Sequence, residues 1–153
     1  MLFVDPFGLV EYADGFVGPL PPNGYYTSEM TTTKCGRVPP SPKTADIDIN
    51  MLQADFSWDP FWFKMQVDDK GPWDYKRQDP KYEDFGNFNY GATGRAMGFP
   101  EQVLKRQAGR VSQRVPGRGH LGSPWGLPPY GDYPEDQELI QKGVDYCECM
   151  GYD

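Results

Sequence analysis

The side chains able to do chemistry crowd between Trp73 and Tyr90, where Asp74, Lys76, Glu83, Asp84, Asn87 and Tyr90 fall close together. Carboxylates beside a lysine and aromatic rings are what general acid–base hydrolysis needs. Burial of Glu83 against Trp73 or Phe85 would raise its pKa toward that of a working acid. Asn87 would hold a developing oxyanion or orient a substrate. Plainer alternatives stand beside these: Asp74 and Lys76 as a surface pair, and Gly86-Asn87 as a turn with the asparagine left-handed. The one histidine, His120, excludes a histidine acid–base pair. It sits in Gly119-His120-Leu121-Gly122, a loop that suits either a functional group or a solvent-facing ring. The catalytic candidates are therefore Glu83, Asn87, Asp74, Lys76 and His120.

Two substrates fit this set. Arg106, Arg110 and Arg114 are spaced by four and would line one helix face with guanidinium groups. On RNA they would grip phosphates while Glu83, Lys76 or His120 works at the scissile group. On a glycan such as peptidoglycan, Asp74 and Glu83 would supply the two carboxylates, with Trp73 and Tyr90 against the sugars. The arginine row favours RNA, the first expectation; the net charge of -7 favours the glycan. A third reading has no enzyme in it: the aromatic loops would make protein contacts. The basic stretch and the acidic chain end would then simply pair or be solvated.

These groups need a scaffold, and 153 residues fit one domain with one modest core. With 18 glycines and 16 prolines, short helices joined by long ordered loops are expected. The fold class is mainly α, α+β being the alternative, with at most a small sheet. Residues 15–42 hold six prolines and suggest a linker or surface arm, with order starting near Asp46. Ile47 to Val67 is the most apolar part and the expected core, with Asp59-Pro60 capping a helix. Gly91, Gly94 and Gly98 would share a helical face open to close approach by another helix. Such a helix is weak by itself, at about 1 kcal/mol per glycine against alanine. Pro100 opens a helix with Val103, Leu104, Ala108 and Val111 as its apolar stripe. The last helix starts near Asp132 and Pro134, with Leu139, Ile140, Val144 and Cys147 inward.

Three cysteines, Cys35, Cys147 and Cys149, form no disulfide-like spacing. Inert or buried thiols are expected rather than a staple. One histidine and one distant cysteine make a poor metal set beside Cys147-x-Cys149, so neither metal nor cofactor is expected. No secretory leader pattern opens the chain and no long apolar run predicts membrane insertion.

Two stretches resemble known families. Val4-Asp5-Pro6-Phe7-Gly8-Leu9 is similar to the motif that closes the core of Rhs-type polymorphic toxins. The resemblance implies an autoproteolysis junction at Asp5, Gly8 and Leu9, with cleavage after Leu9. It carries one of the two aspartyl motifs, so this chain would not cut itself. Gly71-Pro72-Trp73-Asp74-Tyr75-Lys76, Tyr82 to Gly94, and Pro129-Tyr130-Gly131-Asp132 with Asp136-Gln137 resemble the polymorphic toxin type 44 family (bacterial toxin 44). That implies a secreted antibacterial effector, delivered into a target bacterium by contact-dependent or type VI secretion. The implied partners are a cognate immunity protein and the Rhs shell of the parent polypeptide. The expected organisation is 1–9 as the end of the Rhs core, 10–45 as a linker or extended arm, and 46–153 as toxin domain.

Overall fold

The computed structural model describes residues 9–11, 17–19 and 31–152. Two short antiparallel hairpins come first. β1 (Leu9–Glu11) pairs with β2 (Val17–Pro19), and β3 (Thr31–Thr33) pairs with β4 (Gly36–Val38). Among the described residues six α-helices follow: α1 (Ile47–Ser57), α2 (Pro60–Val67), α3 (Tyr75–Gln78), α4 (Glu83–Ala96), α5 (Glu101–Ser112) and α6 (Pro134–Cys149). The fold is mainly α with two tiny sheets.

Local chemistry sets several boundaries. Asp46 caps α1 by accepting from the amides of Asp48 and Ile49. Asp59 accepts from Phe61 N–H, with Pro60 at the first helical position of α2. The helix α4 stops at Ala96, and Gly98 follows with φ +90°, so it ends the helix instead of joining its packing face. Asn87 lies inside α4 and takes no left-handed turn.

The centre of the molecule is the α4–α6 pair. Asn87 meets Asp136 near the helix starts and Arg95 meets Glu148 near their ends, so the two helices run parallel. Glycines let them touch. A Cβ on Gly91 would lie 2.1 Å from Ile140 O, and one on Gly143 would lie 2.1 Å from Phe88 O. Gly94 makes room for the Leu104 side chain of α5 in the same way. Phe85, Phe88, Ala92, Ile140, Val144 and Tyr146 are buried around this contact.

The most apolar segment is only partly core. Met51, Ala54 and Phe63 are buried, whereas Phe56, Phe61 and Met65 face solvent. In α5, Leu104 is buried while Val103 and Val111 are exposed; a helix touching its neighbours along one narrow line uses only part of an apolar stripe.

Order reaches further back than Asp46. Val38 and Ala45 belong to the core, and Cys35 forms a disulfide with Cys149, 114 residues away. The expectation of inert thiols fails for this pair, because pairing across such a distance is made by the fold and leaves no trace in local spacing. Cys147 lies outside this disulfide and is buried, as expected of an inward residue. Among the described residues no helix is long and apolar enough to cross a membrane.

Candidate active site

The parallel α4–α6 pair places two helix starts side by side, and acids gather there. Glu83 and Asp84 occupy the first turn of α4, and Glu135 and Asp136 that of α6. Helix starts carry partial positive charge and welcome such acids. Asn87 Nδ2 donates to Asp136 Oδ1 at 2.9 Å. Behind them Asp132 is buried, and its Oδ2 accepts from Gln137 Nε2 at 2.9 Å. Gln137 also donates to the Lys105 carbonyl, which locks this corner to α5.

Asp136 is the group this environment changes most. Its partial burial, reinforced by the negative charges of Asp132 and then Glu83, pushes its carboxyl up to about 6, against a weaker opposing pull from Arg118. An acid with that value is partly protonated near neutrality and can both give and take a proton. The Asn87 contact engages one carboxyl oxygen, leaving the other to carry the proton. Arg118 lies over the Tyr133 ring at 4.9 Å and donates to Ser112 Oγ at 3.1 Å, which holds a cation at the rim of the acidic corner.

The structure joins some sequence candidates to this centre and separates others. Glu83 is exposed beside Asp136, and Asn87 binds it. Asp74 is buried in a structural role: its carboxylate accepts from Lys70 N–H and pairs with Arg77. Lys76 is solvent-exposed. Tyr90 donates its hydroxyl to the Leu104 carbonyl, and burial raises its pKa further, so it braces α5. Trp73 packs edge-on against Trp62 and Phe63. His120 is exposed, with Nδ1 2.9 Å from the Gly117 carbonyl.

The arginine row divides. Arg106 donates to the Pro124 and Gly126 carbonyls and lies over the Tyr130 ring, so it holds the 122–131 loop onto α5. Arg110 and Arg114 are exposed. Asp5 and Gly8 lie outside the described residues, and Leu9 opens β1. Sequence reasoning did not place Asp132, Asp136 or Arg118 in the site. The available signal was Asp132 with Asp136-Gln137, which recur together in the type 44 resemblance. Among the described residues no cluster of histidine, cysteine and acidic groups suits a metal ion.

Residues 73–148 match the family model of bacterial toxin 44. The matched segment is a bacterial toxin 44 domain. It runs from Trp73 almost to the end of α6 and so contains the whole acidic corner. No curated protein and no solved structure matches the chain. The toxin 44 domain is thus a toxin module, with Asp136, Asn87 and Glu83 on its central helix pair.

Proposed function

We propose that the toxin 44 domain is an antibacterial hydrolase that cuts glycosidic bonds in the peptidoglycan of a target cell. The observation that carries this reading is Asp136, a carboxyl raised to about 6 beside a second, exposed carboxylate, Glu83. Glycoside hydrolysis needs one acid that holds its proton near neutrality and one ionised partner. Asp136 would protonate the leaving oxygen, and Glu83 would activate water or attack the sugar. Asn87 would hold Asp136 in place.

Two further features favour a glycan. Three neighbouring acids repel a phosphodiester unless cations offset them, and Arg106 is occupied within the fold. The Cys35–Cys149 disulfide suits an oxidising compartment such as the periplasm. The second reading, an RNase, draws on exposed Arg110 and Arg114, with Arg118 beside the acidic corner. Secretion, the Rhs shell and an immunity protein belong to this proposal as the means of delivery and self-protection.

The test expresses the chain in bacteria with and without a periplasmic export signal. The proposal expects lysis only on export, altered muropeptides, intact total RNA, and no toxicity from Asp136→Asn. Toxicity confined to the cytoplasm with RNA cleavage would replace the glycan by RNA. Full toxicity of folded Asp136→Asn would remove the acid centre.

A further inference from the structure

A cavity of about 270 Å³ lies away from the Asp136 centre, between the start of α1 and the turn that leads into α3. Asn50, Gln53, Trp73, Tyr75, Gln78 and Thr44 are among its lining residues. Asn50 and Tyr75 are both more than nine-tenths buried and line it from the inside. Asn50 Nδ2 donates to Tyr75 Oη and to Asn89 Oδ1, each at 2.7 Å. Both amide hydrogens are therefore used, and Asn50 Oδ1 accepts from none of the described residues. The Tyr75 hydroxyl receives the Asn50 bond and has its own hydrogen left to donate. Burial pushes its pKa up to about 12, so it stays a neutral phenol at any physiological pH. The inner wall thus offers one fixed acceptor and one fixed donor.

The rim continues the same chemistry. Gln53, Gln78 and Thr44 are exposed and each both donates and accepts. Trp73, Pro72 and Ile49 supply apolar surface. Among the described residues no lysine or arginine lines the cavity, and the one charged group there is the Asp46 carboxylate. Among the described residues an anion finds no group of opposite charge there. The volume corresponds to roughly nine waters at about 30 Å³ each, which is room for one small ring and not for an extended chain.

We propose that this cavity is a binding site for a single neutral sugar ring, separate from the acidic centre. A pyranose has what the walls ask for: hydroxyls that donate and accept, an apolar C–H face, and no charge. The inference deepens the glycan-hydrolase reading, on which its biological meaning rests, by giving the toxin a second hold on the same polymer.

The experiment titrates the full chain, carrying Asp136→Asn to prevent turnover, with N-acetylglucosamine and its β-1,4-linked trimer. Amide and indole resonances are followed by NMR. The expected result is saturable shifts at Asn50, Gln53, Trp73 and Tyr75. Gln53→Ala with Gln78→Ala should weaken binding about tenfold, the effect of two lost neutral hydrogen bonds, with an unchanged melting temperature. Absence of saturable shifts there overturns the proposal, as does binding that the double variant leaves intact. Inorganic phosphate competing for the same resonances overturns it as well. Failure of the acid centre is a different result: Asp136→Asn would still hydrolyse glycan while the sugar titration succeeds.

Discussion

At the scale of single residues, Asp136 makes opposite demands on stability and chemistry. Its folded pKa of about 6 lies above the ordinary 3.8, so ionising it in the folded state is unfavourable. A raised pKa contributes stability that is complete below pH 3.8 and disappears as pH rises through about 6. Asp136→Asn should therefore stabilise the protein at pH 8, by about 1 kcal/mol after allowance for its partial exposure, while removing at least about a hundredfold of activity. Thermal melts at pH 4 and pH 8 check the first part; a variant no more stable than wild type at pH 8 would contradict it. If Asp136 acts as the acid, activity also falls as pH climbs above about 6, an alkaline limb readable in a pH–rate profile. Asn87→Ala should cost about a hundredfold in activity through misplacement of that carboxyl, with the melting temperature little changed. Glu83 and Asn87 were legible in the sequence because they sit in one dense polar stretch. Asp136 was not, since its altered acidity comes from burial, then Asp132 and Glu83, and Asn87 is 49 residues away.

At the scale of elements, the site exists because α4 and α6 lie parallel and close. Glycine decides the distance. For Gly91 and Gly143 two effects compete on replacement by alanine. Helix propensity favours alanine by about 1 kcal/mol. Against that, the new Cβ would fall 2.1 Å from a backbone oxygen, Ile140 O for one and Phe88 O for the other. Backbone cannot swing aside as a side-chain tip can, so the clash, about 1–3 kcal/mol, outweighs propensity. Both substitutions should lower the melting temperature by about 5 °C or more, and they should reduce activity further than stability alone explains, because Asn87 and Asp136 separate. A Gly91→Ala variant that melts higher than wild type would disprove the packing. The small residue at Gly91 made this contact readable in the sequence, while Gly94 instead admits Leu104 of α5 and Gly98 ends the helix; aspartate caps and a first-position proline set the starts of α1 and α2. What could not be read was which apolar residues stay outside: Phe56, Phe61 and Val111 fit a core by type, but no neighbour covers them.

For the whole molecule, the disulfide decides how the segment before α1 relates to the toxin domain. Prolines and polarity from residue 15 to 42 read as a linker or a surface arm, and no local pattern announces that Cys35 meets Cys149. Tertiary pairing over 114 residues is invisible to spacing, because only the folded chain brings the two cysteines together. Its energetic weight follows from the same length. A cross-link closing about 100 residues removes on the order of 4–5 kcal/mol of unfolded-state freedom. Burial of Val38 and Ala45 holds the segment independently but covers little area. Reduction should therefore leave the folded arrangement in place yet lower the melting temperature on the order of 10 °C. Melts with and without dithiothreitol test this, and Cys35→Ser should melt low in both conditions. Cys147 is buried and cannot replace Cys35 without unpacking α6. Identical wild-type melts in oxidant and reductant would mean that the bond contributes nothing, and would withdraw its support for a periplasmic site of action. A clear difference would mean that the toxin gains its full stability only after leaving a reducing cytoplasm.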